Sequence, residues 1–186
     1  VPEILNVFIR LRILHRRLND PNDSGGETMD GITVATARRH GYSGPMRDMP
    51  EQVKWDIYQS EFWYGLRLDD VETLSPKLAE VLADIGVNMG TVRAGQFLQR
   101  ALNVLNRGGR DFSDIDVDGA IGPMTLSALR NYADRRFPDK GEAVLCMAIM
   151  GLKAAFYVEL CERRPKDERF AYGWLRNRVV PFTSMA

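Results

Sequence analysis

Two cysteines, two histidines and no excess of either charge are what 186 residues provide, and each shortage removes a class of protein. Two cysteines make no disulfide framework. Cys146 and Cys161 fall on one long apolar stretch. At about 1.5 Å rise per helical residue they stand roughly 22 Å apart, and a bridge needs Cα atoms within about 7 Å. They read as free core thiols of a chain made in a reducing cytoplasm. His15 and His40 lack a neighbouring cysteine and the His-Glu-x-x-His spacing, so neither a metal nor a cofactor is expected. Lys plus Arg equals Asp plus Glu, 25 each, which argues against a nucleic-acid partner. The clusters Arg10, Arg12, Arg16, Arg17 and Arg38, Arg39 read as solvated helix faces. No unbroken apolar run reaches the roughly 18 residues of a membrane span. The stretch 143–155 is short and Lys153 interrupts its end, so no integral membrane segment is expected. There is no Gly-x-Ser-x-Gly elbow, no phosphate loop and no repeat of 20–50 residues.

What is present is a helical pattern. The 45% hydrophobic content is that of a globular chain, and the length fits one domain, with or without a small appendage. Ile4, Val7, Phe8, Leu11, Leu14 and Leu18 recur at helical spacing and predict an amphipathic helix over 2–18. The Asn-, Asp-, Pro- and Gly-rich stretch 19–26 must be a loop. Thr33 is a candidate N-cap for a short helix ending before Gly41. Pro50 opens an aromatic-rich helix over 51–63. Ser75-Pro76 starts another, with Leu78, Val81, Leu82, Ile85 and Met89 on one stripe and Glu80, Asp84 and Asn88 on a different face. Further helices are predicted over 92–106, from Pro123 to about Arg136, over 141–163, and from about Lys166 to Arg178. The loop 24–33 has room for one short hairpin at most. The expected fold is mainly α, with about eight helices. A boundary at Gly90–Thr91 divides a front half, 1–90, from a rear half, 91–186, over one shared core.

The rear half carries the most informative stretch. Leu98-Gln99-x-Ala101-Leu102-Asn103 precedes an acidic loop, and then comes Asp118-Gly119-x-Ile121-Gly122-Pro123-x-Thr125-Leu126-x-Ala128-Leu129. Gly119 can take the left-handed backbone that closes a turn. Pro123 suits the first helical position, where no N–H is needed. Read plainly, this is a helix–loop–helix with good turn chemistry. The order also resembles the signature of peptidoglycan-binding helical modules.

The front half adds a second resemblance. The stretch from Asn19-Asp20-Pro21 through Gly25-Gly26-Glu27-Thr28-Met29-Asp30-Gly31-Ile32-Thr33 looks like the active-site loop of glycoside hydrolase family 108, lysozyme-like muramidases of phages and bacteria. Asn88-Met89-Gly90 with Ala94 and Phe97-Leu98-Gln99 resembles that family's middle segment. Arg169-Phe170-x-x-Gly173-Trp174-Leu175-x-Asn177-Arg178-Val179 resembles its C-terminal close. The resemblance implies a lysozyme-like fold and cleavage between N-acetylmuramic acid and N-acetylglucosamine. Such cleavage needs one carboxylic acid to protonate the leaving oxygen and a second group to stabilise the cation or position water.

In the family the acid is a Glu before two glycines at the end of the first helix. Here that position is Leu14, followed by His15 and Arg16, and no acidic residue lies between Glu3 and Asp20. Leu14 fits the apolar stripe of the first helix. Three readings stay open: an impaired lysozyme homologue that binds wall glycan, an acid relocated to the 20–30 loop, or a locally altered sequence. The relocated candidates are Glu27, Asp23 and Asp30; Glu27 follows two glycines and Asp23 stands at a family loop position suited to the second role. Thr28 is a candidate for holding a water. Each also reads as an ordinary loop residue. For glycan contact the candidates are Asp30, Asn88, Asp118, and one of Trp63 or Tyr64 as a stacking platform, beside the plainer reading that most of the aromatics are core. The expected partner is the peptidoglycan glycan strand, and the expected state is a monomer. The first residues lack the order of a signal peptide. The expectation is synthesis in the cytoplasm and action at the periplasmic wall after release.

Overall fold

The computed structural model describes residues 17–18 and 28–183. Three two-residue strands form a small antiparallel sheet: β1, Arg17–Leu18; β2, Thr28–Met29; β3, Ile32–Thr33. Arg17 pairs with Met29, Leu18 with Thr28, and Met29 in turn with Ile32. The predicted hairpin exists and gains a third strand. That strand corrects the helix predicted over 2–18, because Arg17 and Leu18 are extended; residues 2–16 lie outside the described residues. Asp30 (φ 54) and Gly31 (φ 80) join β2 to β3. Positive φ at both turn positions matches the right-handed twist of adjacent strands, which is why Asp-Gly is favoured there.

Nine α-helical segments follow among the described residues. α1 is Val34–Arg39, capped by Thr33, whose Oγ1 accepts the Thr36 N–H at 3.1 Å. α2, Glu51–Ile57, runs straight into a π-helical segment, Tyr58–Tyr64. The single helix predicted over 51–63 therefore widens halfway, and the Gly65 N–H bonds Ser60 O at 3.1 Å. α3 is Leu68–Glu72. α4 is Pro76–Met89, where Ser75 accepts the Leu78 N–H at 2.9 Å. Gly90, at φ 91, turns the chain into α5, Thr91–Leu105. α6 is Pro123–Arg136, α7 is Gly141–Arg163, α8 is Glu168–Arg178 and α9 is Val180–Thr183. The pattern predicted all but α3 and α9, which are too short to show a period.

One apolar cluster joins Ile32, Ile57 and Trp63 through Leu82 and Ile85 to Leu98, Leu129 and Ile149. Residues on both sides of Gly90 share it. α4 and α5 pack on each other and on α7. Cys146 and Cys161 are buried on α7 as free thiols, and burial pushes the Cys146 thiol up to about 11.

By length and composition α7 is apolar enough to cross a membrane, with a mean hydropathy of 1.8 over its best window, and its inner side, with Leu145, Ile149 and Lys153, is buried in the core. One expectation changes. Asp84 was placed on the face of α4 away from the apolar stripe, yet it is 1% exposed. Lys153 of α7 forms an ion pair with it, and Arg178 of α8 reaches its other oxygen at 3.1 Å. Lys153 Nζ also donates to Arg178 O at 2.7 Å. Three helices thus converge on one carboxylate. Burial pulls the Lys153 ammonium below the ordinary lysine range, against the opposing pull of Asp84. Trp174 completes the junction by stacking on Tyr157 of α7 and Phe170 of α8, at 5.2 and 5.7 Å between ring centroids.

Candidate functional site

The hairpin is the anchored end of the loop expected to carry the chemistry. Asp23, Glu27 and Leu14 lie outside the described residues. Thr28 is described: it is half-buried in β2, between Leu18 and Thr33.

Asp30, expected to meet substrate, is 0% exposed. Its carboxylate Oδ2 lies 3.0 Å from Lys54 Nζ, which also donates to Glu51 at 2.9 Å. Burial works against the Lys54 ammonium, but Glu51 and Asp30 outweigh it and raise its pKa. The Tyr58 hydroxyl donates to the backbone carbonyl of Asp30. Burial, then the Asp30 charge, drives the Tyr58 pKa upward. A glycan could reach the Asp30 carboxylate only by opening the Lys54 pair, so the expected contact role is replaced by one of holding the turn. The sequence offered only the Gly-rich loop 24–33 as room for this hairpin; the Asp30-Gly31 pair could have located its turn, and Lys54, the residue that fixes it, gave no signal.

The aromatic pair divides clearly. Trp63 is 1% exposed and belongs to the core, which corrects its expected cleft role. Tyr64 is 54% exposed at the end of the π segment. Three residues earlier, Glu61 forms an ion pair with Arg39 and lies 3.2 Å from His40 Nε2. Burial acts to raise the Glu61 pKa, but the hydrogen bonds from His40 and Arg39 bring it below the ordinary glutamate range. Sequence reasoning missed this cluster, because Arg39 and His40 are more than 20 residues away from Glu61. Asn88 is exposed at the end of α4 and donates to Asp84 O at 2.6 Å and Asp84 Oδ1 at 3.1 Å. That ties it to the buried junction.

The rear signature folds into a clamp. Gln99 is 1% exposed, and its Nε2 donates to Asp118 Oδ1 at 2.7 Å and Ala120 O at 3.0 Å, with Thr125 Oγ1 at 3.2 Å. Its Oε1 accepts the Gly119 N–H at 2.8 Å. One turn on, Asn103 pairs with both backbone groups of Ile115, at 2.8 and 2.9 Å. Asn106 then bonds Asp114 and the Gly109 N–H. Gln99 and Asn103 share one face of α5, since residues four apart are helical neighbours, and Asn106, its C-cap residue, continues the row. That face zips down the acidic loop. Gly119, at φ 85, packs so closely that a Cβ there would stand 2.5 Å from Val92 O, and one on Gly95 would stand 2.0 Å from Gly119 O. Asp118, expected to bind substrate, spends Oδ1 on Gln99 and on the Ala120 N–H at 2.8 Å. Hydrogen bonds from Gln99 and then Ala120 hold its carboxyl below the ordinary aspartate range. Asp118 remains exposed but is first a part of the clamp.

With the hairpin in front and the clamp behind, the comparisons fall into place along the chain. Residues 16–90 match the family model described as Glycosyl hydrolase 108, and residues 93–179 match the one described as Predicted Peptidoglycan domain. The chain therefore combines a glycosyl hydrolase 108 domain with a C-terminal predicted peptidoglycan domain, the arrangement of a peptidoglycan hydrolase in general terms. Among solved structures it is similar to one described as the structure of Brucella abortus SagA, with a TM-score of 0.65 and 24% identity over 99% of this chain and 91% of that one. That likeness is one of fold. No curated protein matches the sequence significantly.

Proposed function

We propose that the protein is a muramidase, cutting peptidoglycan between N-acetylmuramic acid and N-acetylglucosamine, with the rear half holding the glycan strand. It would act at the periplasmic wall after release from the cytoplasm. The observation that carries the reading is the joining of a hydrolase-type hairpin and an intact Gln99 clamp through one core. The acid in this reading is Glu27, one residue before Thr28 of β2, with Asp23 in the second role. Two described carboxylates near the hairpin are poorly placed for the acid's role. Asp30 is buried against Lys54, and the hydrogen bonds of His40 and Arg39 hold the Glu61 pKa below the ordinary glutamate range. A leaving-group acid needs a proton to give near neutral pH.

Leu14 favours a second reading, a wall-binding homologue without the cut. Clearing of permeabilised Gram-negative cells, read beside retention on purified sacculi, separates the two. A working enzyme clears the suspension, and Glu27→Gln lowers the rate by about 10²–10⁴-fold while retention is unchanged. Near-parent lysis by both Glu27→Gln and Asp23→Asn would end the relocated-acid idea. A parent that binds without lysis, while Leu14→Glu lyses, assigns the chain to the binding class. No retention above that of an unrelated neutral protein defeats both readings.

A further inference from the structure

α7 is the longest helix of the described residues, and one side of it faces outward. Val144, Met147 and Val158 on that side are 48%, 43% and 48% exposed. Gly151 and Ala155 are exposed between them, and nothing lies within 4 Å of where a Gly151 Cβ would stand. Lys140, the left-handed N-cap residue (φ 59) just before α7, and Glu162 within it, both exposed, close the two ends of the row. The spacing from Lys140 through Val144, Met147, Gly151, Ala155 and Val158 to Glu162 is four-three-four, twice over. That is an 11-residue period of about 3.67 residues per turn, close to the 3.6 of a straight helix. The row therefore runs nearly along the axis, and a second helix can follow it at a shallow angle.

The row is also symmetric about Gly151. Residues equally far from it are Met147 and Ala155, then Val144 and Val158, then Lys140 and Glu162. Large meets small, valine meets valine, and the end charges are opposite. An antiparallel copy of the same helix offers that complement, with Gly151 on the two-fold axis, where two glycines let the backbones approach. A two-fold contact uses the same patch on both partners, so residue i meets j and j meets i. We propose that this face of α7 is an antiparallel, isologous contact between two copies of the chain, with Gly151 at its centre and Lys140 paired with Glu162 at each end. The sequence-based expectation was a monomer; the placement of this row on a side exposed among the described residues points to a pair. The proposal is independent of whether the protein cuts glycan.

A single helix pair covers less than the roughly 1,600 Å² of a standard interface, so the dimer is expected to be weak, on the order of 100 μM. Sedimentation velocity on the full chain from about 10 μM to 1 mM tests it. The expected result is a shift from monomer to dimer mass. Gly151→Arg should remain monomeric throughout with the fold intact and a melting temperature no lower than the parent's, since its side chain enters open space and arginine is the better helix former. Lys140→Glu should weaken the dimer, and adding Glu162→Lys should restore it by reversing the pair. Gly151→Cys should cross-link to itself on mild oxidation. A parent that stays monomeric overturns the proposal, as does a dimer that survives Gly151→Arg. Failure of the double charge reversal to restore association overturns the antiparallel register. Monomers that float with lipid vesicles, and lose this with Gly151→Arg, assign the face to a membrane surface and overturn it as well.

Discussion

Gln99 holds together a loop that has little apolar anchoring of its own. Its amide serves Asp118, Ala120, Thr125 and Gly119 at once, from a fully buried position. A net hydrogen bond is worth about 1 kcal/mol, but a buried donor left unpaired costs about 1–3 kcal/mol more. Gln99→Leu keeps the volume and strands the Gly119 N–H. It should destabilise the chain by about 2–3 kcal/mol, read from urea unfolding, and should lower retention on sacculi. A change within error in both measurements would remove the clamp from the account. Asp118 gives the same site a pH signature. Its folded pKa lies below the ordinary aspartate value. The stability it contributes is therefore present above about pH 4 and lost as pH falls through the lower folded value. Asp118→Asn should abolish that acid-sensitive step.

At the scale of elements, the junction of α4, α7 and α8 depends on Asp84. Removing one partner of a buried ion pair leaves the other charge uncompensated, at about 3–5 kcal/mol. Asp84→Asn should cost that much in urea unfolding, because Lys153 and Arg178 both lose their counter-charge. Lys153→Met and Arg178→Met together with Asp84→Leu should cost distinctly less, since apolar groups of similar volume then replace all three charges. Equal losses in the single and triple variants would mean that packing of Trp174 against Tyr157, not charge, holds α8 in place. The sequence pattern could not show this junction. A helical wheel puts Asp84 away from the stripe of α4, and only the arrival of α7 and α8 on that side buries it.

Across the whole molecule, the apolar cluster passes from the front half to the rear half without a break. Leu82 and Ile85 of α4 share it with Leu98 of α5 and Ile149 of α7. Neither half can unfold without exposing part of the other's core. Calorimetry should therefore show one transition, with calorimetric and van't Hoff enthalpies equal. Two resolved transitions would show that Gly90 separates independently folding units.

The sequence by itself determined the helices, the loops and the two family resemblances. Those rest on local rules: apolar spacing, Ser75 and Thr33 as caps, Pro123 at a helix start, Gly119 in a tight turn. It also left room for the hairpin in the Gly-rich loop 24–33, where Asp30-Gly31 tolerates the positive φ that the turn needs. Tertiary structure alone decided what each polar residue is for. Asp30 is turned inward because Lys54 arrives from α2, Trp63 is core while Tyr64 is not, and Gln99, Asn103 and Asn106 form a zipper because the acidic loop lies across them. The outward row on α7 follows the same logic. Its spacing is written in the chain, but whether that side faces core or solvent depends on which neighbours pack on the opposite face. Local conformation depends on residues close in sequence, whereas burial and charge pairing depend on segments brought together from far apart.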